Sequence, residues 1–457
     1  MATTISDVTN STNLDGLLKK VYLPTMQRTA YDDTSFTELI RTETIPGGGN
    51  HIVHFASTQR AEGVGGIAEG GNWVTNVPIK GKQMTENVKY MNAYIALTGP
   101  VIDAANEGRK SAINVVTDTV RTNIRAYKNN FDRMLMGNQS GYCGRVSAIS
   151  SGTSITVTNS SFPQAPFFAD MFMPIGAIFE CGTFDSAGLD SSGHNDVNAA
   201  DDNDFYVSSR TSQDLDNGSS VMVLTDSAGT VYNAAGTLDV AVGDFFFRKG
   251  AYGDAGTSAV TWANNREING VNNLISDGSS NSETGGNYTT VWGLNRTSFW
   301  YLQSYMKDFA SARLDEVNLT AMMMDLKYSK QAEPNLLVCT PKMENMYFNE
   351  QKDNRRFNNL GPMDFVGGYR RMGIQLGGYQ LILTSLGSCP SGTLFVLDTN
   401  DFAFVENRPM HWRLGDGGNA LVQSHTGDNQ FATMVHYVNF ICYNPYMQGK
   451  GFSVAES

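Results

Sequence analysis

The sequence predicts an α+β chain of several lobes, rich in short strands and organised around one long helix. Three observations carry this. Glycine is abundant, at 46 of 457 residues, and clusters with Asn, Ser and Thr between β-branched and aromatic runs. The clearest helical pattern, from Glu107 to Met136, holds apolar residues at sustained helical spacing. The chain is too long for one average domain, and 41% apolar with 11% aromatic residues is enough to fill two to four cores.

Residues 1–45 read as a mixed arm. Apolar residues at helical spacing from Leu14 to Tyr22 end at Pro24, and Thr34–Ile40 forms another short helical turn. His51–Ala56 and Val88–Thr98 are strands by their β-branched and aromatic content. The polar, glycine-rich stretch between them makes the pair one long β-hairpin with an extended tip, spanning 46–98. Such a hairpin cannot bury itself and needs something else to lie on. After Gly99-Pro100, the residues Ile113, Val116, Val120, Ile124, Tyr127 and Phe131 recur at intervals of three and four, and Gly137 stops the helix. It is roughly 45 Å long. Its single apolar stripe lies along a sheet or another subunit.

Charge then marks a module. Fourteen acidic and three basic residues between Val146 and Trp262 supply −11 of the chain's net −12. Short strands at Ser154–Val157, Ala177–Glu180, Phe205–Ser208, Ser220–Leu224 and Val231–Asn233, separated by turn residues, suggest a small β-barrel or sandwich. Helix resumes at Asn295–Arg313, where Phe299, Leu302, Tyr305, Met306 and Phe309 form a face. Leu336–Cys339 is a buried strand followed by a helix from Lys342 to Phe348. Gln380–Thr384, Thr393–Leu397 and Phe402–Glu406 are strands, and Phe431–Tyr443 is a long one closed by Asn444-Pro445. The partition is 1–45, 46–98, 99–144, 145–262 (the acidic insertion), 263–290 (a return segment), 291–424 and 425–457.

No motif makes a strong case for an enzyme. Gly63-Val-Gly65-Gly-Ile-Ala68 matches a dinucleotide fingerprint in letters, but Glu69-Gly70-Gly71-Asn72 cannot open the helix that a phosphate cradle needs. The stretch reads as a bent loop tip. His51 and His54 stand three apart in a strand and face opposite sides, so they cannot share a metal ion. His194, His411, His425 and His436 are scattered, with no HExxH. Asp196, Asn198, Asp201, Asp202 and Asp204 could hold calcium, but their spacing is not that of an EF-hand, and a solvated acidic loop is the plainer reading. The doublets Arg355-Arg356 and Arg370-Arg371 form neither a patch nor a stripe for nucleic acid, and read as partners for acidic residues of a neighbouring subunit. GxSxG and Walker A sequences are absent from the chain. Catalytic, cofactor and metal sites are therefore expected to be absent.

Cys143, Cys181, Cys339, Cys389 and Cys442 are far apart and odd in number, which favours a reducing compartment over a disulfide framework. The first residues do not form a secretory signal, and no apolar run reaches the length of a membrane span. The sequons at Asn287 and Asn295 are read as accidental.

The order of parts resembles the major capsid protein of tailed bacteriophages, in the Johnson (Hong-Kong-type) fold. His51–Thr98 resembles the extended loop, Glu107–Met136 the spine helix of the peripheral domain, and Phe431–Tyr443 the long strand returning to that domain. Asn295–Glu406 looks like the axial domain. "INGVNNLISDG" (Ile268–Gly278) and "NPYMQGKGF" (Asn444–Phe452) read like phrases of such proteins. The resemblance implies a shell subunit that assembles into pentamers and hexamers around double-stranded DNA and resides in the virion after assembly in the bacterial host cytoplasm. It implies a portal protein as a further partner, and a cement or decoration protein as a candidate partner of an outward-facing 145–262 insertion. With only residues 1–45 before the hairpin, a separate scaffolding protein is the expected partner. Some relatives crosslink through a loop lysine and a distant asparagine. Lys80 and Lys82, with Asn358 and Asn359, match by type alone, so a non-covalent shell is expected.

On this reading the loop tip (Glu62, Gly63, Gly65, Gly66, Ile67, Glu69, Gly70, Gly71 and Trp73) contacts a neighbouring subunit. Ile67 and Trp73 are its apolar anchors, and Glu62 and Glu69 pair with the neighbour's basic residues, with Arg355, Arg356, Arg370 and Arg371 as candidates. Glycine lets one sequence take several bends in non-equivalent shell positions. Two alternatives stand beside it: an encapsulin-like nanocompartment shell, and a β-rich extracellular binding protein.

Overall fold

The computed structural model describes residues 36–45, 51–59, 64–75, 78, 80–106, 110–149, 154–158, 172–185, 188–194, 205–214, 219–225, 240, 242–251, 260–261, 266–278, 290–350, 372–376, 379–415, 418, 420–423 and 428–456. The helix expected at Leu14–Tyr22, the strand at Val231–Asn233, the Asp196–Asp204 cluster, Asn358 and Asn359 lie outside the described residues.

After a 3-10 turn at Thr37–Leu39 come strands β1 (Arg41–Thr44), β2 (His51–Gln59), β3 (Lys80–Asn87) and β4 (Lys89–Thr98), and helices α1 (Gly99–Asn106) and α2 (Lys110–Met136). The hairpin differs from the sequence expectation. β2 pairs with β3, from His51 opposite Asn87 to Gln59 opposite Lys80, and not with Val88–Thr98. Lys80–Asn87 ("KGKQMTEN") carries no apolar alternation because it packs on little beyond β2, and Met84 alone in it is buried. At Val88 the chain crosses into a different sheet.

That sheet holds the first core. β4 and β20 (Phe402–Trp412) flank β22 (Asn429–Cys442) antiparallel, β1 joins β20 in parallel, and β21 (Val422–Gln423) continues the β20 edge. β20 runs past the expected Glu406 and accommodates Pro409 where its register shifts. The α2 stripe (Val116, Val120, Tyr127 and Phe131) is buried against this sheet, with Phe131 5.8 Å from Phe404 between ring centroids. Its 27 residues make it about 40 Å long.

The acidic segment forms a closed barrel with its own core. β5 (Tyr142–Ile149), β6 (Ser154–Thr158), β10 (Ser219–Thr225), β9 (Phe205–Asp214), β7 (Ile178–Asp185) and β11 (Phe245–Arg248) pair in that order, and β11 returns to β5. β8 (Gly188–His194) and β12 (Val260–Thr261) extend β7. Alternating β6 and β10 side chains (Ile155, Val157, Met222 and Leu224) point inward with Phe179, Phe205 and Phe246.

A short helix α3 (Val271–Leu274) and a small hairpin, β13 (Thr290–Val291) with β14 (Leu294–Asn295), lead to the third core. Here a six-stranded mixed sheet runs β15 (Tyr305–Asp308), β23 (Gly449–Phe452), β19 (Leu394–Leu397), β16 (Leu336–Cys339), β18 (Tyr379–Ser385), β17 (Met372–Leu376). Helices α4 (Glu316–Lys330) and α5 (Pro341–Glu350) contribute Leu319, Met322, Leu326 and Met343 to the core on one face, while Leu336, Val338, Phe395 and Leu397 join the first core.

The helix expected over Asn295–Arg313 is not formed. The segment makes two 3-10 turns, Arg296–Ser298 and Trp300–Leu302, and then β15, which pairs in parallel with β23. The buried Arg296 guanidinium takes the Leu302 carbonyl at 2.9 Å, and the free edge of β23 takes the backbone of Tyr305–Asp308. Tertiary pairing overrides the apolar spacing. The helix in this region is α4, begun by Asp315, whose side chain accepts from the Asn318 N–H at 2.6 Å.

Candidate assembly surface

The hairpin is a two-stranded sheet of its own, so its placement depends on its root. Ile52 and Met84 are buried there. The Trp292-Gly293 turn of the small hairpin has φ values of 54° and 73°, and its Trp292 carbonyl accepts from the Thr85 N–H at 3.3 Å. A left-handed backbone is costly for a bulky side chain, so the fold around Trp292 holds it in place. His54 stacks edge-on to Tyr443 at 4.8 Å, and burial lowers its pKa against the opposing pull of Glu43. His51 is exposed and meets the Asn87 side chain at 2.6 Å, so the two histidines face apart.

Directional polar bonds complete the root. The Asn439 amide donates to the Asn87 carbonyl at 2.7 Å, and its side-chain oxygen accepts from the Asn269 N–H at 3.0 Å. Asn273 donates to the Asn269 side chain at 3.1 Å. Burial raises the Glu86 carboxyl above its usual range, opposed by Lys89, and lowers the Lys89 amine, opposed by Glu86.

The segment Ile268–Gly278 is thus a keystone. Gly270 packs against the end of α2, where a Cβ would lie 2.2 Å from the Gly137 carbonyl oxygen. Arg296 donates to the carbonyls of Asn273, Leu274, Ser276 and Leu302 at 2.6–3.0 Å, and burial lowers its pKa to about 10. Arg133, near the end of α2, is ion-paired with Glu267 just before it. Sequence reasoning noted this phrase but assigned it no bonds. Its three asparagines among buried apolar residues were the available signal. It also passed over His436, buried between the Tyr127 hydroxyl and the Glu406 carboxylate at 2.7 Å each.

The far end of the hairpin is the opposite of its root. Every described residue from Val64 to Thr75 is exposed, with Trp73 at 87% and Val64 at 92%. The Gly71 N–H donates to the Ala68 carbonyl at 2.8 Å in a tight turn whose Gly70 has φ 76°. Among the described tip glycines, Gly70 is the one whose backbone lies in the left-handed region that favours glycine. A Cβ on Gly65 would strike Val74 at 2.8 Å, whereas Gly66 faces open space. No helix opens after the GxGxxA letters, so the phosphate-cradle geometry is missing from the described tip. Ile67, Glu69 and Trp73 are brought onto one projecting loop; Glu62, Gly63, Arg355, Arg356, Arg370 and Arg371 lie outside the described residues. Lys80 starts β3, and the Lys82 ammonium lies 5.0 Å over the Phe299 ring.

Among the described residues no cluster of His, Cys, Asp and Glu could hold a metal ion, and no helix is long and apolar enough to cross a membrane. All five cysteines are buried free thiols.

No protein-family model matches the sequence, and no curated protein matches it. Solved structures do. The chain is similar to the cyanophage A-1(L) capsid at 9% identity and TM-score 0.47, over 92% of this chain and 93% of that one. It is similar to the capsid of the native GTA particle at 8% identity and TM-score 0.40, over 93% and 91%. An encapsulin complex from Synechococcus elongatus matches 36% of this chain and 59% of that one, at 10% identity and TM-score 0.23.

Proposed function

We propose that the chain is a structural protein, the major capsid subunit of a tailed-phage head, with no enzymatic role. The observation that carries this reading is the hairpin itself: a long two-stranded arm, rooted by buried polar bonds, whose glycine-rich tip leaves the apolar side chains of Val64, Ile67 and Trp73 exposed. Bare apolar surface of this kind marks an interaction site. Heterologous contacts between identical copies form rings when their rotation closes, so an arm reaching a neighbour suits pentamers and hexamers.

In Johnson-fold terms, the hairpin is the extended loop. α2 with β4, β22, β20 and β1 is the peripheral domain, and the β15–β17 sheet with α4 and α5 is the axial domain. The barrel is the insertion, facing outward and offering a surface to a decoration protein. Its acidity keeps it from the packaged double-stranded DNA, whose affinity for proteins rests on Lys and Arg. Glu62, Gly63, Gly65, Gly66, Ile67, Glu69, Gly70, Gly71 and Trp73 meet the neighbour, with Glu62 and Glu69 opposite Arg355, Arg356, Arg370 or Arg371. Assembly takes place in the host cytoplasm with a separate scaffolding protein and a portal, and subunits are joined without covalent crosslinks.

The test is size-exclusion chromatography and electron microscopy of the purified chain, alone and co-expressed with a scaffolding protein from the same genome. Pentamers, hexamers or megadalton shells are expected. A monodisperse monomer under both conditions would refute the proposal, and shells filled with protein cargo would replace it with the encapsulin reading.

A further inference from the structure

Lys450, on β23, and Asn272, in α3, are both buried, at 6% and 9% exposure, and far apart in sequence. The Lys450 Nζ lies 2.6 Å from the Asn272 Oδ1. A side-chain amine held at that distance from an amide is positioned close to its carbonyl carbon, and such placement replaces the entropy of a chance encounter. From these two side chains we propose that Lys450 and Asn272 join in an isopeptide bond within the chain.

The balance is simple. The neutral Nζ attacks the Asn272 Cγ, forming a C–N bond. One proton passes from Nζ to the amide nitrogen, and the Cγ–Nδ2 bond breaks to release ammonia. No oxidant or cofactor is consumed. Burial favours the step: it lowers the Lys450 pKa to about 8 against the opposing charge of Asp277, so much of the amine is the neutral nucleophile at mildly alkaline pH.

The bond would tie the last strand of the third core to the keystone. It is internal to one chain, so it differs from a subunit crosslink, and it stands independently of the capsid reading.

The experiment is the intact mass of the purified full-length chain, denatured after incubation of the folded protein at about pH 9, where the amine is neutral. The expected mass is below the sequence mass by one ammonia, with a branched peptide joining residues 272 and 450 on digestion. Lys450→Arg and Asn272→Ala are expected at their full sequence masses. A wild-type chain at its full sequence mass overturns the proposal, and this holds even if the variants fail to fold.

Discussion

Replacing Trp73 by Ala separates assembly from folding. A Trp side chain offers roughly 200 Å² of surface, and at 87% exposure nearly all of it is open in the isolated chain. Covering most of that area on a neighbour contributes about 4 kcal/mol at ~25 cal/mol per Å². Ordering the side chain and imperfect fit offset about 1–2 kcal/mol. The net loss in Trp73→Ala is then about 2–3 kcal/mol per contact, a factor of roughly 30–150 in association. Light scattering against protein concentration measures the assembly threshold, and differential scanning fluorimetry measures unassembled subunits. The threshold is expected to rise by about that factor while the unfolding temperature of subunits stays put. An unchanged threshold, or a subunit destabilised as much as the assembly, would refute the reasoning.

Three further outcomes test the interior. Gly270→Ala places a Cβ 2.2 Å from the Gly137 carbonyl oxygen, and a loss of about 2–3 kcal/mol is expected in denaturant melts, against almost none for Gly66→Ala, which faces open space. Tyr127→Phe removes the hydroxyl at the His436 Nδ1 and is expected to cost about 1–2 kcal/mol in the same assay. Asp401 has its pKa raised to about 6 by burial and by Asp398. The folded state therefore binds more protons than the unfolded one between about pH 4 and 6, and this group's contribution falls as pH rises through that window. Asp401→Asn, which can still accept the Gln448 amide at 2.9 Å, is expected to flatten that slope and stabilise the chain at pH 7, read from melting temperature against pH.

What the sequence made legible follows where each element gets its stability. The α2 stripe and the β16, β19 and β22 runs bury apolar side chains in a regular pattern, so periodicity finds them. α4 is apolar on two sides: Leu319, Met322 and Leu326 face the core, while Val317, Met324 and Tyr328 stand exposed. Two stripes leave no single amphipathic face, so the helix escaped notice. β3 and β15 were missed for the opposite reason. Each is held by backbone pairing with a partner distant from its own pattern, β3 with β2 and β15 with β23. The exposed tip was legible as a projecting loop, because glycine and polar residues cannot build a core. Its root was not, because its bonds join Asn87, Asn269 and Asn439 across the whole chain.

The polar character of that root explains how a hairpin that joins no larger sheet can hold a direction. An apolar contact at Ile52 and Met84 supplies adhesion but little angular preference, since hydrophobic burial is non-directional. Hydrogen bonds are directional, and buried ones are costly to break when their partners are left unpaired. The Asn439 side chain binds the Asn87 carbonyl while its own oxygen is held by the Asn269 N–H, so rotating the hairpin would break its bond to a side chain that the keystone keeps oriented. Trp292 adds a backbone bond to Thr85 from a strained turn that cannot relax without moving β3. Asn439→Leu keeps similar volume and burial but removes the directional bonds. It is expected to leave α2 intact by circular dichroism while speeding hydrogen exchange at Thr85 and along β2 and β3. Exchange as slow as wild type in those strands would show that apolar packing alone aims the arm.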